Sequence, residues 1–217
     1  MQTADDAAIE LAVRSFAAAM IGLAAHELNN RLAVMRETVG LMEDLARAGK
    51  AGAAGTARAH SSLDDQVGRA LNIARTLSGL GGALGATGGG FDAATAIGDL
   101  LGLNDRWARQ HSLRIDREIA DGLPRAGGDP ALFLCLTHRL LVRCAADLPR
   151  GGTVLLRAVR EGGGIRLGVH PAGEPVSGAV AREPADEEID RELTRRLGGE
   201  LVFEGGGAAT IRLTTFH

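Results

Sequence analysis

The stretch Ala25-His26-Glu27-Leu28-Asn29-Asn30-Arg31-Leu32 sets an imidazole beside a carboxylate, with an amide and then a guanidinium following it. On a helix, His26 and Asn30 stand one turn apart along the axis and about 40° apart around it. A neutral imidazole with a base at hand can accept a phosphoryl group and changes charge near neutral pH. A solvated surface histidine with no chemistry is the plain alternative, and position alone favours it. His60, His111, His138 and His170 have no companions at ligand spacing, so no metal site is expected. Cys135 and Cys144 share one apolar stretch at a spacing that places them more than two helical turns apart, so they cannot pair within it. Two buried thiols in a reducing cytoplasm is the reading they support.

The elements that must position His26 follow from patterning. Residues 5–48 are rich in Ala, Leu, Glu and Arg and contain no proline, a helical composition. Gly49–Gly55 reads as a turn, and Thr56–Leu80 as a second helix. In the first helix Ile21, Ala25, Leu28, Leu32, Met35, Val39 and Met42 alternate by four and three, the spacing of a coiled-coil seam. Leu63, Val67, Ala70, Ala74 and Leu77 repeat that alternation in the second. On this seam His26 takes an outward position, with Glu27 beside it on the exposed side. Leu23, Val34, Leu41, Leu71, Ile73 and Leu80 widen the apolar surface beyond what one hairpin buries. Two hairpins joined as a four-helix bundle would cover it, so a homodimer is expected.

The run GLGGALGATGGG ends the helical part and is expected to supply a flexible linker over 81–90. The sequence thus divides into a helical hairpin, 1–80, the linker, and a mixed domain, 91–217. In the latter, Ile97–Gln110 reads as a helix and Leu113–Ile119 as a strand. Asp129-Pro130 opens a helix with a capping carboxylate and a proline at its first position, running to Ala146. Thr153–Val159 and Ile165–Val169 form a hairpin, Asp186–Leu197 a helix, and Glu200–Phe203 with Ala209–Phe216 a last hairpin. The fold class is α+β.

Composition excludes several functions. Formal net charge is −3 and aromatic residues make up 3% of the chain, with no tyrosine. Neither a basic run nor a base-stacking surface is present, which argues against a nucleic-acid partner. Met1 is followed by acidic residues rather than a basic region, so no secretory signal is expected. The apolar run Phe16–Ala25 is too short to span a bilayer, and a soluble, cytoplasmic protein with no membrane partner is expected.

His26-Glu27-Leu28-Asn29-Asn30-Arg31-Leu32 resembles the H-box of histidine kinases, His-Glu-x-x-Asn/Thr-Pro-Leu, in the first helix of a helical hairpin. The resemblance implies that His26 carries a phosphoryl group and that Glu27 acts as base and orients the ring. It implies that Asn30 positions a water for dephosphorylating a partner, with Asn29 and Arg31 facing that partner. The family's proline is Arg31 here. The resemblance continues from Asp129-Pro130-Ala131-Leu132 through Leu140-Leu141 to Leu148-Pro149-Arg150-Gly151-Gly152, which looks like the N-box region of the kinase ATPase domain. The implied architecture is a dimeric four-helix bundle followed by a degenerate kinase-type ATPase α/β sandwich.

The nucleotide chemistry departs from that pattern. The two asparagines of the N-box fall on Arg139 and Arg143, and a guanidinium has no acceptor atom for Mg²⁺. Val169-His170-Pro171-Ala172-Gly173 aligns with Val-x-Asp-x-Gly, so the aspartate that would recognise adenine is Pro171. Only Glu174–Ala185 separates this strand from the last helix, where the family has a glycine-rich lid. No ATP binding and no cofactor are expected, with Mg²⁺ belonging to the partner. The implied function is a two-component histidine phosphotransferase working between receiver domains. The alternatives are a non-catalytic dimeric platform for a response regulator or kinase, and a receiver phosphatase using Asn30.

Overall fold

The computed structural model describes residues 2–50, 52–86, 89–173 and 183–215. Two long helices, α1 (Gln2–Arg47) and α2 (Ala53–Gly85), form the hairpin. They are followed by α3 (Ala93–Gln110), β1 (Arg114–Ile119), α4 (Pro130–Ala146), β2 (Thr153–Glu161), β3 (Gly164–Pro171), α5 (Pro184–Arg196), β4 (Glu200–Glu204) and β5 (Ala208–Leu213). The strands make one mixed sheet in the order β1-β2-β3-β5-β4. β1 runs parallel to β2, and the remaining pairs are antiparallel.

Local signals set most boundaries. Asp129 caps α4 by accepting from the Ala131 amide at 2.7 Å, and Pro130 follows at a position whose N–H has no helical partner. Asp92 caps α3 through the Thr95 amide at 2.9 Å. The β4–β5 turn needs positive φ at Gly206 and Gly207, as the glycine run Gly205-Gly206-Gly207 provides. α4 lies across the sheet, where Phe133, Leu136, Leu140 and Leu141 are fully buried with Val154, Leu156, Leu167 and Ile211.

The Gly-rich run is not a linker from residue 81. α2 continues through Gly81 and Gly82 to Gly85. Leu80 is buried, and Ala83 and Leu84 pack against the core, so tertiary burial outweighs the poor helix propensity of glycine. Gly79 has a steric role: a Cβ there would stand 2.5 Å from Asp99 Oδ2, so glycine lets α2 approach α3 closely.

The orientation of α1 also departs from expectation. Its covered stripe is Ile9, Phe16, Met20 and Ala24, all 4% exposed or less. The expected seam lies one residue on, about 100° around the helix, and is half-buried at Leu28, Met35 and Met42 but open at Ile21, 55% exposed, Leu32, 56%, and Val39, 43%. The reason is that the second half of the chain folds back on α1. The Phe16 ring packs on His138 of α4 at 5.5 Å, Asn104 of α3 points its amide nitrogen at the Met20 sulfur at 3.7 Å, and Arg196 of α5 pairs with Asp6. One continuous apolar core therefore spans the hairpin and the sheet domain. By length and composition a stretch of α1 is apolar enough to cross a membrane, contrary to the expectation from Phe16–Ala25, yet Phe16, Met20 and Ala24 are spent on this core.

His138 is half-buried at this junction, its Nδ1 shut away from solvent with no partner, and its pKa is pushed down to about 4 by desolvation first and by the Arg139 charge second. A base whose folded pKa is depressed contributes stability above its ordinary value of 6.5, lost as pH falls towards 4. Urea midpoints should therefore drop over that window, and His138→Leu should flatten the drop.

Candidate functional site

His26 is exposed on α1, as expected, but its surroundings are not those of a free surface histidine. Arg106, from the fifth position before the end of α3, reaches across and places Nη2 2.5 Å from His26 Nε2. A guanidinium has donors only, so Nε2 accepts and the ring proton sits on Nδ1. Arg106 Nη1 donates to Glu27 Oε2 at 2.9 Å. In the amide orientation that satisfies its neighbours, Asn30 also accepts from Arg106, with Nη2 at 3.3 Å.

Glu27 is the centre of the cluster. It does not lie on the exposed side: its side chain is 14% exposed and continues the covered stripe of Met20 and Ala24 towards α3. Its second oxygen, Oε1, accepts from Arg31 Nε at 2.9 Å and also from Arg31 Nη2. Arg31 Nη1 donates to Gln66 of α2 at 3.1 Å. Burial raises the carboxyl pKa as the largest single effect, but hydrogen bonds and charge from Arg106 and Arg31 together outweigh it and hold Glu27 below its usual 4.5. Both carboxylate oxygens are thus committed to guanidinium groups, and Glu27 reaches His26 through Arg106 rather than through the ring N–H.

The structure brings His26, Glu27 and Asn30 onto the Arg106 guanidinium, ties Arg31 to Glu27 from the other side, and leaves Asn29 exposed beside them. Arg106 is the residue that sequence reasoning missed. Its helix was foreseen, but nothing in Asn104-Asp105-Arg106 marks a partner eighty residues upstream. Behind Glu27 a cleft of about 140 Å³ opens between α1, α2 and α3, lined by Arg31, Arg69, Arg106 and Arg109 with Glu27 and Asp105 among its walls.

Arg139 and Arg143 of α4 are both turned towards α5. Arg139 donates through Nε to Asp190 of α5 at 2.5 Å and through Nη2 to the Asp186 carboxylate at 3.2 Å. Arg143 pairs with Glu187, approaches Asp190 at 3.6 Å, and lies over the Phe203 ring at 3.8 Å. The Asp190 side chain is 3% exposed. Guanidinium groups offer a cation no acceptor atom, and both of these are turned onto carboxylates of α5. Pro171 ends β3 opposite Val154, with no carboxylate or N–H to offer a base. Most of the short segment expected to replace the lid, residues 174–182, lies outside the described residues. The larger cavity, about 600 Å³ between α1, α4 and α5, is lined by Leu11, Phe16, Val142 and Ile189 and is remote from His26. No group of three metal-ligating side chains occurs among the described residues.

No family model and no curated protein matches the chain. Among solved structures, the Acinetobacter baumannii histidine kinase AdeS overlaps 88% of this chain and 98% of its own at 13% identity, with a TM-score of 0.49. A mycobacterial sensor histidine kinase, MprB, overlaps 60% of this chain and 100% of its own at 14% identity and a TM-score of 0.45. A bacterial phosphotransferase overlaps 91% and 95% at 16% identity and a TM-score of 0.42. Overlaps at this level of identity and score decide nothing about the chemistry of His26.

The Glu27 cluster has a measurable acid dependence. A carboxylate whose folded pKa is depressed contributes stability above its unfolded value, lost as pH falls through the folded one. Glu27→Gln should cost about 1.5–3 kcal/mol near neutral pH, the range for hydrogen bonds to charged groups. The gap from the parent protein, followed by urea denaturation, should close as pH falls below 4.5.

Proposed function

We propose that this chain is a two-component histidine phosphotransferase, which accepts a phosphoryl group on His26 from a phosphorylated receiver domain and passes it to another, without ATP. The observation that carries this reading is the setting of His26: an exposed imidazole whose Nε2 is held as an acceptor by Arg106, over a carboxylate between two guanidinium groups. The imidazole is open to solvent, a receiver reaches Nε2 once Arg106 swings off it, and such transfer is mostly positioning and charge neutralisation. No cofactor is assigned to the chain, and Mg²⁺ comes with the receiver. Arg139 and Arg143, tied to α5, support the absence of Mg·ATP binding. Asn29 and Arg31 border the face on which a receiver would dock.

The open stripe of Ile21, Leu32 and Val39 on α1, with Val67 and Leu71 on α2, supports a homodimer through the hairpins. A cytoplasmic setting goes with receiver partners, and neither nucleic acid nor membrane enters this reading.

Mixing the protein with a radiolabelled phosphoreceiver and Mg²⁺ should transfer label within minutes. The label should be acid-labile and alkali-stable, and absent from His26→Gln. Labelled ATP should give none, and titrated Mg·ATP no binding heat at sub-millimolar concentration. If receivers bind but never label the protein, it is a platform. If they lose phosphate through a route that Asn30→Ala blocks and His26→Gln spares, it is a phosphatase. Light scattering should give twice the chain mass at micromolar concentration, and Leu32→Glu should return the monomer.

A further inference from the structure

We propose that Arg106 is a catalytic residue that binds the phosphoryl group on His26. The proposal rests on His26 being the phosphoryl carrier and adds the group that receives the charge. Arg106 already touches the reacting atom, with Nη2 on His26 Nε2. Its Nε is buried and has no partner, so the fork holds a donor in reserve. Arg69 and Arg109 line the cleft that Arg106 borders, and neither has an ion-pair or hydrogen-bond partner among the described residues. Four guanidinium groups and two carboxylates, Glu27 and Asp105, line that cleft behind Glu27, so the surroundings of Arg106 are net positive, while His26 itself is reached only through Arg106. Planar guanidinium forks match phosphoryl oxygens in geometry as well as charge.

The resting contact also occupies the Nε2 lone pair, so Arg106 must move for the nitrogen to attack. The lone pair then forms the N–P bond, and the P–O bond to the receiver's aspartate breaks with its electrons passing to that carboxylate. The ring keeps its Nδ1 proton through the attack. Arg106 gives up Nε2 as an acceptor and gains phosphoryl oxygens, so its positive charge stays beside the transferred group throughout. Because Arg106 belongs to α3, the phosphorylated histidine is then bound to the second half of the chain.

Phosphoramidate, a small donor that transfers its phosphoryl group with loss of ammonia, tests this without a receiver. In the full-length protein before phosphorylation, long-range proton–nitrogen spectra of His26 should show Nδ1 protonated and Nε2 as acceptor. On phosphorylation, the Arg106 side-chain resonances should shift and exchange more slowly with solvent. Arg106→Met keeps the stem and removes the donors; transfer from a saturating phosphoreceiver should slow by at least about tenfold, as for loss of a donor to transition-state charge. Half-saturation by the receiver should not change, and Arg106→Lys should recover part of the rate. If wild-type protein takes phosphoryl from neither donor, the carrier reading falls and this assignment with it. Labelled His26 with unmoved Arg106 resonances, or Arg106→Met transferring as fast as wild type or faster, overturns the assignment alone.

Discussion

A carboxylate on the core-facing stripe of a helix is held there only if cations meet it. Glu27 occupies that place on α1, and desolvation is the largest single effect on its ionisation. One guanidinium comes from its own helix, four residues on, and the other from α3. The second fixes α3 within hydrogen-bond reach of α1, and through Arg106 it sets the environment of His26. The hairpin that presents the histidine and the domain that follows it are thus joined at the reactive nitrogen.

The same device recurs where α5 meets the rest of the molecule. Asp190 lies between Arg139 and Arg143, and Arg196 ties α5 to Asp6 at the start of α1. All but one of the chain's 24 basic residues are arginine. That bias suits these contacts, since a rigid fork can bridge two acceptors at once where an ammonium is a single point of charge. Arg31 joins Glu27 to Gln66, and Arg106 joins His26, Glu27 and Asn30. The second half of the molecule is oriented on α1 by shared guanidinium groups as much as by apolar packing.

Elements with strong local signals were legible in the sequence. Asp129-Pro130 marked the start of α4, the glycines marked the β2–β3 and β4–β5 turns, and the heptad register put His26 on an open helical surface. What failed were features decided by distant contacts. The covered stripe of α1 missed expectation by one residue because α3, α4 and α5 bury Phe16, Met20 and Ala24, and heptad counting cannot see a partner from the same chain. Gly81 and Gly82 read as linker because their propensity is local while the burial of Leu80 is not. Glu27 was placed in solvent for the same reason, and Arg106 had no spacing relation to His26 to betray it.

The ion pairs between α4 and α5 have a consequence for how such a chain can change. Asparagine at position 139 alone, or at 143 alone, would leave Asp190 short of a counter-charge inside the protein, and breaking a buried pair from one side costs about 3–5 kcal/mol. That is a large share of the stability of a small domain. A route to amide side chains at both positions therefore runs through Asp190 first, or through several substitutions together. The arrangement acts as a ratchet: each contact that fills the space makes a single-step change at this end of the molecule more costly.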